Sequence, residues 1–462
     1  MKKIAVFSIL TLICLSGCQG NATDATGADA VQSQDTAVTY AGSPTYHGDI
    51  AAIYAKRCVN CHATGGIAPF PLDTYAAAKS SGLACQAATA NRTMPPYAVS
   101  ADGTCGTFRD ARWLSDAELG AIAKWVDTGM PQGVATGAAP QPPKLNVLDG
   151  NVVEYAMPNS YAPVPSVAGG HDDYRCFPMD MKLKKDQFVT GFEVVPGDPR
   201  IVHHVLTFSV SPDAFPIEAP SYGANSKVMD ALQAANTDRF GWPCYAGAGK
   251  GVLIDALPAT WAPGQGATKY PAGTGLRVKA GEILVMQVHY NLANVADNAK
   301  PSDLSKVRLQ LSDSVDREGY MVLHDPFLFT SFTNKPQTLE ANKNGATIDW
   351  TATRKDLDFF LPNSAGDNFE IFAIYPHMHK FGRKAQLTLT HPNTPDVCGA
   401  IVEKWNFDWQ GFYWYDKPLQ YDAKTLLHYT CVYDTTGAPA PILPGFGTEN
   451  EMCLAGLYFV KK

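Results

Sequence analysis

Five of the eleven histidines fall into three short motifs that could hold metal. They are Ile201-Val202-His203-His204-Val205, Gln287-Val288-His289-Tyr290-Asn291 and Tyr375-Pro376-His377-Met378-His379-Lys380. All three lie in strand-like runs. Residues two apart in a strand face the same side, so His377 and His379 form a ready two-nitrogen site while Met378 points away. Gln287 and His289 likewise share a face. His203 and His204 would point to opposite sides of a regular strand, so joint ligation requires a strand end or a bulge. Imidazole binds copper, zinc, iron and nickel alike; a soft thioether tips the choice toward copper. Glu451-Met452-Cys453 supplies a candidate thioether. Taken singly, each motif has an ordinary explanation: histidine pairs occur in cores and on surfaces, and a strand methionine is usually core.

A second chemistry is written at Cys58-Val59-Asn60-Cys61-His62. This is the attachment pattern of a c-type haem, in which two thiols bond the porphyrin and the adjacent histidine ligates iron. The same spacing occurs in zinc and redox sites, but zinc would want a further Cys/His pair nearby. His47, the other histidine of this region, reads as a surface residue. Thr93-Met94-Pro95-Pro96-Tyr97 resembles the methionine ligand loop of small cytochromes c, with Met130 as the rival sixth ligand. The stretch from Cys58 to the Trp125 helix resembles a class I cytochrome c. His/Met ligation would suit an electron carrier. Cys85 and Cys105 flank Met94 and could close that loop as a disulfide, or stay free.

The order His-His, Gln-x-His-Tyr, His-x-His, Met-Cys resembles the copper type II, ascorbate-dependent monooxygenases over about residues 170–462. The resemblance implies two jelly-roll-like sandwiches, each carrying one copper. It places the electron-transfer copper on His203, His204 and His289. It places the oxygen-activating copper on His377, His379 and Met452, with Gln287 among the catalytic residues. It also implies a Cys431–Cys453 disulfide behind Met452 and a role for Cys176 in its strand, with Cys244 as a possible partner; Cys398 has no counterpart and reads as the odd cysteine. The sequence departs from the peptide-hydroxylating members of the family at two places. Tyr375 stands where they carry a carboxylate-binding Arg, and Gly456 lies in a segment where their Asn and Tyr are missing. A tyrosine cannot replace a bidentate guanidinium, so a peptide substrate is not carried over.

The elements that must position these residues follow from texture. Lys2, Lys3 and the short apolar run Ile4–Leu15 read as a signal peptide over 1–17. Leu15-Ser16-Gly17-Cys18 resembles a bacterial lipobox, with lipid on Cys18; Gln19 favours the outer membrane. Residues 18–42, poor in large apolar side chains, read as a flexible tether. Residues 43–133 carry helical patterning and read as a cytochrome c domain. Its last helix opens on the capping box Ser115/Glu118 and carries the stripe Leu119, Ile122, Ala123 and Val126. A Pro/Gly/Ala linker occupies 134–145. Short alternating runs such as Phe188–Val195 and Ile283–Tyr290 then read as β-sandwich strands, one sandwich over 146–316 and one over 317–462. The expected fold class is therefore mixed and multidomain: a small all-α cytochrome c domain followed by two all-β jelly-roll-like sandwiches.

The expected function is hydroxylation of a C–H bond with O2. Two copper ions and one covalent haem c are the cofactors, and electrons enter through the haem. The expected partners are O2, a small-molecule or peptide substrate, a periplasmic electron donor to the haem and, through the lipid alone, the membrane of the bacterial cell envelope. A net charge of −7 without a long basic run argues against nucleic acid. The alternative is a periplasmic copper and haem electron-transfer or copper-binding protein. The eleven methionines form no tract of the kind scavengers use.

Overall fold

The computed structural model describes residues 40–462 except 67, 167–169, 215–222, 245–246, 264, 294, 296–299, 408 and 446–448. The expected signal peptide, Cys18 and most of the tether lie outside the described residues. Among the described residues no helix is long and apolar enough to cross a membrane.

The chain opens with short helices. A π-helical turn at Tyr46–Ile50 runs into α1 (Ala51–Arg57), and α2 (Tyr75–Ser80), α3 (Gly82–Ala90) and α4 (Asp116–Asp127) follow. The α4 start is the expected capping box: Glu118 N–H donates to Ser115 Oγ, and Ser115 N–H donates to the Glu118 carboxylate. Ile122, Trp125 and Val126 of α4 pack on Ile50 and Tyr54, giving this segment a small core of its own.

Strands take over after residue 150. They are β1 (Val152–Ala156), β2 (Asp172–Asp180), β3 (Gln187–Val195), β4 (Val202–Val210), β5 (Trp242–Pro243), β6 (Ala256–Trp261), β7 (Thr268–Lys269), β8 (Thr274–Val278), β9 (Ile283–Asn291) and β10 (Lys306–Ser312). The second half supplies β11 (Arg317–His324), β12 (Asn344–Ala352), β13 (Phe369–His377), β14 (Gly382–Thr390), β15 (Val397–Val402), β16 (Tyr413–Tyr421), β17 (Leu426–Asp434) and β18 (Leu454–Lys461). Two short helices intervene, α5 (Asn225–Ala234) and α6 (Pro326–Phe329).

The strands form three sheets. A five-stranded sheet runs β5-β2-β9-β4-β6, and a four-stranded sheet runs β12-β17-β14-β15. The third, in the order β1-β10-β3-β8-β11-β18-β13-β16 with β7 on β3, belongs to both halves of the chain. Its two halves join where β8 and β11 pair in parallel, Gly275 opposite Glu318. Alternating burial produces the layers. Val285 of β9 and Val189 of β3 close one apolar core, while Leu387 of β14 and Phe459 of β18 close the other.

The expectation of a separate all-α cytochrome c domain is overturned. The fold is mainly β-sandwich, the helices are few and short, and residues 38–462 form one compact unit. The physical reason lies in the stretch between α3 and α4. Val99 and Phe108 are extended and bury in the core of the second sandwich. Ser100 N–H donates to Ile401 O, and Arg109 N–H donates to Trp414 O. A Cys105–Cys398 disulfide fastens the same stretch to β15. This corrects two cysteine expectations together: Cys105 does not pair with Cys85, and Cys398 is not the odd cysteine. Cys85 is buried and unpaired. Cys176–Cys244 and Cys431–Cys453 are disulfides.

Candidate metal centres

The first site is built on two adjacent strands. β4 pairs with β9, and their register slips between Val202 and His204, so the chain bulges at His203. That extra residue turns both histidines of the pair to one side, where His289 of β9 meets them. His203 Nδ1 lies 3.1 Å from His289 Nδ1, and His204 Nδ1 lies 3.2 Å from the same atom. The ligand nitrogens of the three rings all lie within 4.8 Å of one another, a spacing that suits one ion roughly 2 Å from each. His289 Nε2 lies 2.8 Å from Asp172 Oδ1. A carboxylate accepts, so Nε2 carries the hydrogen and the Nδ1 lone pair faces the other two rings. Tyr174 stacks on His289 with centroids 4.0 Å apart, fixing the ring plane. Burial pushes the His203 imidazolium pKa down to about 3 and His204 well below its ordinary value, and neighbouring histidines add to both shifts. His203 and His204 are therefore available as neutral donors at neutral pH.

The second set forms where β13 ends. His377 and His379 have ring centroids 5.1 Å apart at an interplanar angle of 86°. Gln410 Nε2 donates to Phe407 O, which leaves Oε1 as the acceptor for His377 Nδ1 at 2.5 Å. His377 Nε2 is then a buried nitrogen with no protein partner. His379 Nδ1 lies 2.9 Å from the Asn450 carbonyl, so its Nε2 holds the lone pair. Met452 is 2% exposed and clusters with Tyr375, Leu328 and Leu454. The Glu451 carboxylate ties the two motifs together. It accepts from His379 N–H at 2.8 Å, Phe381 N–H at 2.7 Å and Met452 N–H at 3.3 Å. Burial raises its pKa to about 7 despite those donors. The Cys431–Cys453 disulfide and a Cys453 N–H donation to Asp325 hold the residue after Met452.

These side chains are suited to copper. Two imidazoles with a thioether favour a soft ion, while a triad of imidazoles suits the same metal in a second setting. A buried, unpartnered His377 Nε2 is the feature a missing ligand bond would leave.

Gln287 plays a different part from the histidines. Its amide donates to Gly247 O at 2.8 Å, the carbonyl that Cys176 Sγ of the Cys176–Cys244 disulfide also approaches, at 3.4 Å. Tyr375 and Gly456, the two departures noted in the sequence, are register partners on β13 and β18. A Cβ at residue 456 would lie 2.9 Å from Tyr375 Cβ, so the small residue makes room for the large one. The Tyr375 hydroxyl donates to Gln410 Oε1.

Asp172, Gln410 and Glu451 did not stand out in the sequence. Glu451 alone had a signal, its position beside Met452; Asp172 and Gln410 lie far along the chain from the histidines they hold. Residues 409 and 410 touch both sites. Trp409 packs on His203 with centroids 5.2 Å apart, and Gln410 holds His377.

Two family profiles match this chain. Residues 157–297 match the N-terminal domain of copper type II ascorbate-dependent monooxygenases, and residues 329–462 match the C-terminal domain. The chain belongs to this family. The first histidine set lies in the first monooxygenase domain; the His377, His379 and Met452 set lies in the second. A tyramine beta-hydroxylase of Caenorhabditis briggsae is 20% identical over 361 residues, covering 76% of this chain and 54% of the relative. The chain thus spans about half the length of that relative. Among solved structures, the infectious bursal disease virus VP2 subviral particle matches with 10% identity and a TM-score of 0.17 over 68% of this chain and 74% of that one. Recombinant pro-11S globulin of pumpkin matches with 8% identity and a TM-score of 0.13 over 68% of this chain and 86% of that one. Scores this low carry no argument about fold.

The Cys58–His62 motif lies at the end of α1. Cys58 and Cys61 are unpaired, and burial raises both thiol pKa values, Cys58 to about 12. His62 Nδ1 lies 2.9 Å from Phe70 O, leaving Nε2 as its lone-pair nitrogen. Cys61 borders a cavity of about 610 Å³. Met94 lines a separate small crevice, which shares Tyr97 and Arg112 with that cavity. Met130, the rival ligand, accepts a hydrogen bond from Tyr75 through its carbonyl and packs beside Gly82.

Proposed function

We propose that this protein is a copper-dependent monooxygenase that places one oxygen atom of O2 into a C–H bond of a small molecule. The observation that carries this reading is the pair of unlike ligand sets. One offers three Nδ1 atoms; the other offers two imidazoles and the Met452 thioether. Each lies in its own monooxygenase domain. Copper, when bound, supplies the reduction of O2 and the attack on carbon. The chain supplies orientation. Asp172 holds the hydrogen on His289 Nε2, so Nδ1 stays a ligand. Gln410 does the converse for His377, keeping Nδ1 protonated and Nε2 free. Glu451 fixes the backbone of His379 and Met452. Burial of His204, His289, His377, His379 and Met452 keeps bulk water away from these groups.

The substrate side of the proposal is narrower. Tyr375, with its hydroxyl engaged by Gln410, cannot anchor a carboxylate as an Arg would. This supports a small molecule without a peptide terminus. The name of the nematode relative makes tyramine the first compound to try.

We further propose that the electrons enter through a c-type haem on Cys58 and Cys61, with His62 and Met94 as its axial ligands. A donor of the bacterial envelope would reduce the haem. Two free thiols in a chain whose other described cysteines, Cys85 apart, are disulfide-bonded support this. The lipobox-like Leu15–Cys18 supports lipid anchoring in the envelope. The haem-bearing segment is part of the same compact unit as the copper domains, not a separate cytochrome.

The test is isotopic. Copper-loaded, reduced protein is exposed to 18O2 with tyramine and other small amines. Product carrying one 18O, lost in His377→Ala, is expected. Copper binding at both sites with no O2 consumption would replace this reading with that of an electron carrier.

A further inference from the structure

Trp409 and Gln410 are neighbours in the chain, yet each touches a ligand of a different metal set. The Trp409 ring packs on His203 of the three-histidine set, with centroids 5.2 Å apart and planes tilted by 48°. Gln410 Oε1 accepts from His377 Nδ1 of the second set at 2.5 Å. Both residues belong to the second monooxygenase domain, so that domain lends the first set an aromatic neighbour. The supports of His289, Asp172 and Tyr174, come instead from the first domain.

The segment that presents the pair is fastened to the second set. Trp405 Nε1 donates to His379 O at 3.0 Å, and Phe407 packs on the His379 ring with centroids 5.8 Å apart. Trp409 N–H donates to Asn406 O, and Gln410 Nε2 donates to Phe407 O. Gln410 is buried with both amide atoms engaged, which fixes the direction of its side chain. A short run of atoms therefore joins the two sets. From His203 it crosses one ring contact to Trp409, follows one peptide bond to Gln410 and reaches His377 through one hydrogen bond. Electronic coupling decays more slowly along bonds, hydrogen bonds and ring contacts than across an empty gap.

We propose that Trp409 and Gln410 are the electron bridge between the two metal sets. The inference rests on the reading of both sets as copper sites. One electron leaves the three-histidine site, where Cu(I) becomes Cu(II), and arrives at the His377, His379 and Met452 site, where Cu(II) becomes Cu(I). No bond forms or breaks, and the His377 Nδ1 hydrogen stays in place. Trp409 and Gln410 are neither oxidised nor reduced; they carry the coupling.

The full chain with Cu(II) at both sites is kept free of O2 and given less than one electron per chain by a pulse of a reducing radical. The electron then redistributes between the sites. Freeze-quenched electron-spin spectra follow this, because three nitrogens and two nitrogens with sulfur give Cu(II) different signals. Trp409→Leu removes the ring and is expected to slow the redistribution roughly tenfold or more, with both starting Cu(II) signals unchanged. Trp409→Phe keeps a ring on His203 and should restore most of the rate. A rate in Trp409→Leu equal to that of the unaltered protein overturns the bridge and assigns the transfer to a direct gap between histidine rings. An altered Cu(II) signal at the three-histidine site, or equal slowing in Trp409→Phe, also overturns it, leaving Trp409 as a packing support of His203. Fewer than two coppers in the unaltered chain overturns the two-site reading itself.

Discussion

At the scale of single residues, the candidate metal-ligating side chains stood out in the sequence and their supports did not. Histidine spacing in strands exposed the His377/His379 pair and required the irregularity found at His203. Asp172 and Gln410 escaped notice because a hydrogen bond between residues far apart leaves no local pattern. These supports can be tested directly. Asp172→Asn removes the carboxylate that fixes the His289 tautomer and should weaken copper at the three-histidine site about 10–100-fold. Competition with a calibrated Cu(I) chelator reads this, with the Met452 site as internal control. A pH effect belongs to Asp325. Burial raises its carboxyl to about 7, although Leu328 and Cys453 N–H groups donate to it. The folded chain thus holds a proton that the unfolded chain releases near pH 4. This contribution to stability is complete below about pH 4 and is lost as pH rises through 7. Denaturant unfolding of the metal-free protein and of Asp325→Asn across pH 5 to 8 should differ by this decline; Glu451, raised likewise, and the buried His203 and His204, whose effect has the opposite sign, contribute equally to both profiles.

At the scale of elements, the strands followed from alternation and the α4 start from its capping box, because both signals are local. The partner of Cys105 was not legible. Cys85 is near in sequence, but the chain between α3 and α4 extends along β15 and reaches Cys398 instead. Cys398→Ser should cost about 2–5 kcal/mol. It should also open residues 99–110 to hydrogen exchange while the strands β9 and β4 stay protected. Glu451 works at the same scale, since one carboxylate joins the end of β13 to the start of β18. Glu451→Gln offers one acceptor oxygen and an NH2 group that opposes the backbone donors. Copper affinity at the Met452 site should fall at least tenfold, with the three-histidine site unchanged. The Tyr375/Gly456 pairing shows why two departures from the family arise together: they face each other across β13 and β18.

At the scale of the whole molecule, the β-sandwich content was legible and its connectivity was not. Alternation reveals a strand but not its neighbour, so the parallel β8–β11 pairing that makes one sheet span both halves left no trace in the sequence. Helical periodicity near Cys58 suggested an independent α domain. The apolar Val99 and Phe108 between the helices bury in the second sandwich and bind the segment into the same unit. That arrangement sets the Cys61 cavity beside Trp409 and Gln410, and through them beside both ligand sets. The central claim is that two unlike copper sites share this one unit. X-ray absorption at the copper edge, on fully reduced protein of measured copper content, tests it most directly. Two coppers per chain are expected, with a sulfur scatterer on half of them that disappears in Met452→Ala while the three-histidine copper remains. A single copper per chain, or a spectrum without sulfur in the unaltered protein, would contradict the account.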